Sequence, residues 1–155
     1  MRDLNKEEIA SLLNKVEDGV LAFSDGTRPY CIPVGYVYVN DAVCISLFPK
    51  GRKWEYFKKN NKVCFNVYGW NDDRTQWSSV VIDGEMVPVT ALTEVESIVK
   101  GTIVKMGFDL ESYLAKRMEY YSQTMYTLDA LKLFKIKAVT IGGKSMHSTI
   151  EQYRQ

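Results

Sequence analysis

The sequence predicts an α+β fold in which six antiparallel strands close a small barrel flanked by helices. Three observations carry this expectation. Strand-like runs follow one another through short turns, with "DG" at 25–26 and "ND" at 40–41 as hairpin signals. Helical patterns gather before and after the main run of strands instead of alternating with them. Several strands are also apolar on both faces. In 28–39, Tyr30, Ile32, Val34, Tyr36 and Tyr38 alternate with Cys31, Pro33, Val37 and Val39. A one-sided sheet has no need of this, but a small barrel covered outside by helices or a second subunit does.

Residues 5–16 form the first helical pattern, with Ile9, Leu12, Leu13 and Val16 on one face, Asn5 and Glu8 as a capping box, and Gly19 closing the segment. Strands are expected at 20–24, 28–39 and 42–48. "PKGRKWEYFKKNN" then opens a short helix with Trp54 and Phe57 on its apolar face and Glu55 one turn from Lys59. Strands follow at 62–69 and 77–90, separated by the polar loop 70–76, and Gly84 suggests a bulge or bend in the second. Thr93 and Glu96 open a helix running to about Met106. Asp109 opens another that turns Leu110, Tyr113, Leu114 and Tyr121 inward. The last strand is 131–141, where Phe134, Ile136 and Ala138 alternate with lysines. No repeat or linker interrupts this order, so residues 1–155 read as a single domain.

The bulk numbers exclude several classes of function. Twenty basic and nineteen acidic side chains leave a net charge of +1, which provides no general attraction to nucleic acid or to an anionic membrane. Apolar runs fall well short of a membrane span, and the charged N-terminus does not resemble a signal peptide, so a cytoplasmic location is expected. The three cysteines, Cys31, Cys44 and Cys64, are widely spaced, and with one histidine they assemble no zinc pattern. They read as buried, reduced side chains.

The stretch "PKGRKW" (49–54) carries the chemistry. A helix N-terminus bears about half a positive charge and prefers anions, yet Lys50, Arg52 and Lys53 crowd this one. A solvated charge run is one reading. The other is a bound anion, phosphate above all, toward which N–H groups, dipole and cations all point. Two neighbours favour the anion. Gly51 lets a ligand approach the backbone closely, and a two-residue loop at 40–41 sets Ser46 opposite Gly35, a bare patch on which a flat ring can rest. "IGGKS" (141–145) lacks the first glycine of a phosphate-binding loop, and His147 has no catalytic partner in sequence.

The order of these segments resembles the FMN-binding split-barrel superfamily, the pyridoxamine 5′-phosphate oxidase-like proteins, nearest the short branch that includes the nitroimidazole-resistance proteins. The resemblance runs from "GVLAFSDGTRPYCIPVGYVYVNDAVCISLF" through "GRK" and "NNKVCFNV" to "WSSVVIDGEMVPV", and returns at "VTIGGK". It implies a six-stranded antiparallel split β-barrel, a homodimer, and FMN at the dimer interface. It further implies that Arg52 and Lys53 hold the FMN phosphate with Gly51 as the close-approach glycine, and Lys50 of the same turn joins them as a cofactor-binding residue on the dipole argument above. Pro33, Val34, Gly35 and Tyr36 would border the ring together with Ser46 and Leu47, and Ser78 and Ser79 would supply hydrogen bonds. The implied activity is that of an FMN-dependent oxidoreductase acting on a small molecule, with no catalytic side chain named.

Three departures bear on this. Ser46 stands where many relatives carry histidine, and Ile32 offers no further phosphate ligand. "GGKSMHSTIEQYRQ" lacks the arginine–histidine arrangement of the true pyridoxamine phosphate oxidases. A flavin or haem carrier without turnover is the alternative reading. A nucleic-acid-binding barrel, for which Tyr36 and Tyr38 would be the stacking residues, is disfavoured by the charge balance.

Overall fold

Among the described residues, seven strands and four helices run in the order β1 (Arg2–Asp3), α1 (Lys6–Lys15), β2 (Asp18–Ser24), β3 (Pro29–Val39), β4 (Ala42–Leu47), α2 (Gly51–Lys59), β5 (Lys62–Trp70), β6 (Gln76–Pro88), α3 (Leu92–Lys105), α4 (Leu110–Thr124) and β7 (Lys132–His147). This computed structural model describes residues 1–148; the tail 149–155, which includes most of "STIEQYRQ", lies outside the described residues. Every strand pair is antiparallel, and pairing of β7 with β6 closes the ring β2–β3–β4–β7–β6–β5 into a barrel. The short β1 adds to the edge of β7. The expected α+β fold with a six-stranded barrel is therefore what the chain adopts, with one extra strand.

Local chemistry explains most boundaries. The Asn5–Glu8 capping box is formed in both directions at 2.9 Å. Asn40 and Asp41 both have positive φ, 51° and 58°, which is the two-residue hairpin loop expected between β3 and β4. At the other hairpin, the Asp25 carboxylate accepts from the Thr27 and Arg28 amides at 2.9 and 2.8 Å. Gly84 sits at the register break, where Asp83 pairs with Thr140 and Gly84 with Ala138, leaving Val139 as the bulged residue. A Cβ on Gly84 would come within 2.5 Å of the Lys137 carbonyl oxygen.

The barrel interior is one core, with Leu21, Phe65, Val67, Val80 and Phe134 fully or nearly fully buried. α1 plugs one end through Leu13, whose carbonyl accepts from the Tyr36 hydroxyl at 2.7 Å. A second core lies outside the barrel. There α3 and α4 bring Val95, Ile98, Val99 and Tyr121 onto Val37, Cys44 and Leu133. The two-faced strands thus serve two cores, the outer one built by helices.

Several expectations need correction. The last strand runs on to His147, so both glycines of "IGGKS" lie in extended β7; Gly143 passes so close under α1 that a Cβ would meet Leu4 and Ile9 at 2.9 Å. Gly19 does not close α1 but sits in β2, where the Phe65 ring leaves no room for a side chain. α3 begins at Leu92, with Ala91 and not Thr93 at its cap. Glu55 pairs with Lys58 at 2.9 Å, while Lys59 turns to Asp25 at 3.9 Å. Leu110 and Tyr113 are exposed near the α3–α4 turn, because the second core meets α4 only from Leu114 onward. Cys44 is buried, but Cys31 is exposed, since α3 and α4 cover only the other half of the outer face of β3, and Cys64 is half-buried on the outer face of β5, which these helices do not reach. Among the described residues no helix is long and apolar enough to cross a membrane.

Candidate functional site

The N-terminus of α2 is open. Lys50 is the capping residue and makes no side-chain cap bond, and the first turn holds no acidic residue. Gly51 has φ +75°, a conformation strained for any residue with a Cβ, and open space surrounds it. Glycine at 51 thus serves the backbone turn as well as the close approach of a ligand. Among the described residues, Lys50, Arg52 and Lys53 form no ion pair. The Arg52 guanidinium lies over Tyr30 and donates to the Tyr56 hydroxyl at 3.2 Å, and that bond raises its already high pKa. The Lys53 ammonium folds back to the Lys50 carbonyl at 3.3 Å, and the Lys50 ammonium sits 5.3 Å from the Phe48 ring centroid.

Strand alternation divides the remaining residues of the expected site. Pro33, Gly35 and Ser46 face outward and are exposed. Val34, Tyr36 and Leu47 point into the barrel core, with Tyr36 packed edge-on against Phe65. These three offer the site only backbone. The pairing of Tyr36 with Ile45, carried one step further, sets Gly35 beside Ser46 as the hairpin argument required. A Cβ on Gly35 would meet only the Asp18 carboxylate, at 3.7 Å, so the patch is bare.

This patch forms one side of a cavity of about 720 Å³ between the outer face of β3–β4 and the helices α3 and α4. Its size is that of a small-molecule site. Val37, Ile98, Val99 and Leu133 give it an apolar floor. Lys105 stands in its wall. Its ammonium donates to the carbonyls of Val16, Glu17 and Tyr36 at 2.9, 3.2 and 2.8 Å and lies 3.8 Å from the centroid of the Tyr36 ring. Partial burial lowers its pKa. Lys105 thereby ties the end of α3 to the backbone beside Gly35. The sequence pattern gave no sign of it, because only the topology brings residues so distant in the chain together. Arg117 lines the same cavity, although on α4 it has the sequence spacing of an ordinary exposed cation.

The serine pair lies elsewhere. β6 is opposite β3 in the ring of strands, three steps away in either direction. Ser78 turns inward and donates to the Ser145 hydroxyl at 3.2 Å, within a cluster that also includes Gln76. Ser79, of opposite parity, faces outward between Tyr68 and Lys144. Within one chain, neither serine shares the cavity with Gly35 and Ser46.

A family profile described as pyridoxamine 5′-phosphate oxidase matches residues 5–132. The chain belongs to that family. The match stops where β7 begins, so the closing strand lies beyond it. No curated protein matches the sequence significantly. Among solved structures, a candidate 5-nitroimidazole antibiotic resistance protein from Bacteroides thetaiotaomicron is 18% identical with a TM-score of 0.72, covering 93% of this chain and 86% of that one. An FAD-binding protein from Mesorhizobium loti is 22% identical with a TM-score of 0.63, covering 94% and 97%. A heme-binding protein from Mycobacterium smegmatis is 11% identical with a TM-score of 0.62, covering 95% of this chain and 59% of that one. At these identities the likeness establishes the shared fold of the pyridoxamine 5′-phosphate oxidase family and nothing finer.

Proposed function

We propose that this member of the pyridoxamine 5′-phosphate oxidase family binds FMN non-covalently and works as a flavin-dependent oxidoreductase on a small molecule. The observation that carries this is the N-terminus of α2, uncapped, without an acidic residue in its first turn, and crowded by cations that form no ion pair among the described residues, the weak field of Asp25 at Arg52 aside. A phosphate there satisfies free N–H groups and reverses an unfavourable charge arrangement. Arg52, Lys53, Lys50 and the backbone at Gly51 would hold it. Pro33, Gly35 and Ser46 offer a flat patch for the ring, with Val34, Tyr36 and Leu47 contributing backbone. Bound flavin would supply the electron and hydride chemistry, and the protein the positioning and exclusion of water.

A homodimer completes this proposal. Tyr68, Trp70, Val81 and Met146 are exposed apolar side chains gathered on the outer face of β5, β6 and β7. A two-fold contact through this face would bury them and carry Ser79 of a second copy toward the flavin patch. The second reading, a flavin or haem carrier without turnover, is favoured by Ser46, which supplies no imidazole beside the ring. For haem, the chain's single histidine, His147, lies at the end of β7 beside Gln76, on the serine-bearing side of the barrel.

Titration of cofactor-free protein with FMN, riboflavin and haem separates these readings. FMN is expected to bind at least tenfold more tightly than riboflavin, because only FMN brings the charge-assisted contacts. Equal affinities would remove the phosphate assignment, and preference for haem would favour the carrier. Flavin that binds but is reduced by neither NADH nor NADPH would also speak for the carrier.

A further inference from the structure

The cavity between the barrel and α3–α4 extends well beyond the flavin patch, and its walls have a chemistry of their own. Tyr113, Arg117 and Tyr121 recur every fourth residue on α4 and all line it. Phe108 and Tyr113 stack at its mouth with centroids 5.0 Å apart and planes 20° from parallel. The floor is apolar. Two cations reach the cavity, and their states differ. Lys105 has three ammonium protons and three carbonyl acceptors, so its donors are taken. Arg117 forms neither a hydrogen bond nor an ion pair among the described residues, yet its charge is felt at the buried Tyr121, whose hydroxyl it favours in the ionised form against the larger effect of burial. Glu17 and Asp18 occupy the wall near Lys105.

We propose that this cavity binds an aromatic monocarboxylate whose anionic group is held by Arg117, placing the molecule next to the flavin patch at Gly35 and Ser46. The proposal deepens the flavin reading by naming the class of reaction partner, and rests on that reading only for the meaning of the neighbourhood. An apolar floor with tyrosine walls suits a planar ring. One unspent guanidinium suits one carboxylate, in the bidentate geometry for which arginine is built. Glu17 and Asp18 repel a second negative charge, so a dicarboxylate of the same shape is rejected.

The test uses the full-length protein, with and without FMN, titrated calorimetrically with benzoate, its neutral isostere benzamide and the dianion terephthalate. Benzoate is expected to bind at least tenfold more tightly than either. Arg117→Gln, at a solvent-accessible position on the cavity-lining side of α4, should abolish the preference for benzoate over benzamide and leave FMN affinity unchanged. An Arg117→Lys variant should restore part of the preference. A preference that survives Arg117→Gln overturns the assignment, and so does benzoate binding no tighter than benzamide in the parent protein. Loss of FMN affinity in Arg117→Gln overturns it too, because the guanidinium would then belong to the cofactor. Benzoate selectivity in a protein that takes up no FMN upholds this site and counts against the flavin reading alone.

Discussion

The Arg52 guanidinium lies 4.4 Å from the centroid of the Tyr30 ring, so the cation at the start of α2 is steered by an aromatic side chain from the neighbouring hairpin. Tyr56, one turn along, adds its hydroxyl and ring. Arg52 is therefore not a free solvated charge. Its contacts leave the planar edge open for an anion, since neither a ring face nor one hydroxyl uses up five N–H donors. In cofactor-free protein, Arg52→Ala loses the stacking but also relieves a misplaced positive charge, two opposing effects of similar size. Denaturant unfolding should show nearly unchanged apo stability while FMN affinity falls by tenfold or more. A large loss of apo stability would mean that Arg52 serves the fold.

Acid should weaken the β2–β3 hairpin. The Arg28 amide, then the Thr27 amide and hydroxyl, donate to the Asp25 carboxylate and lower its pKa to about 2. An unfolded aspartate titrates near ~3.9. With the folded value depressed, the stabilisation is complete above the unfolded value and is lost as pH falls from about 4 toward 2. Asp25→Asn should therefore lower stability at pH 6 and cost progressively less toward pH 2. Glu8, held to about 2 chiefly by the Arg2 side chain with help from the Asn5 amide, titrates in the same window and is replaced in a parallel Glu8→Gln control. A stability difference between wild type and Asp25→Asn that does not change with pH would contradict the assignment.

The outer face of β5–β6–β7 should mediate dimerisation. Sedimentation at micromolar concentration is expected to give a dimer, and Val81→Asp, at a position 41% exposed in the single chain, should dissociate it. If the second copy contributes to the flavin site, FMN affinity falls with dimer population. A stable monomer with FMN bound would refute both parts.

Much of this fold was legible because local rules and tertiary packing agree. The Asn5–Glu8 box and the Asn40–Asp41 turn each have a short-range cause and appear where the residues placed them, and Gly84 marks the irregularity, although the extra residue is Val139 on the facing strand β7. The misreadings share a different origin. β7 was cut short at Ile141 because "GGKSMH" has neither β-branching nor alternation, and it is held extended by pairing with β6 from Gln76 onward. Cys31 was expected inside because a two-faced strand does not reveal how far the covering helices reach. Within the candidate site, residues adjacent in sequence could be read, as at Lys50–Lys53. Alternation then separates Pro33 and Gly35 from Val34 and Tyr36. Lys105 and Arg117 become visible only when α3 and α4 are seen folded over β3 and β4.

Lys53 gives the most direct test of the phosphate site, because among the described residues its ammonium donates only to a carbonyl of its own turn, the Lys50 oxygen at 3.3 Å. The measurement is the affinity of Lys53→Ala for FMN and for riboflavin, taken together with unfolding of the cofactor-free form. The account predicts FMN binding weakened tenfold or more, riboflavin binding unchanged, and apo stability equal to wild type or up to about 1 kcal/mol higher, since a cation has left the positive end of a helix dipole. Unchanged FMN affinity, or equal losses for FMN and riboflavin, would contradict the claim that the start of α2 is built to hold a phosphate.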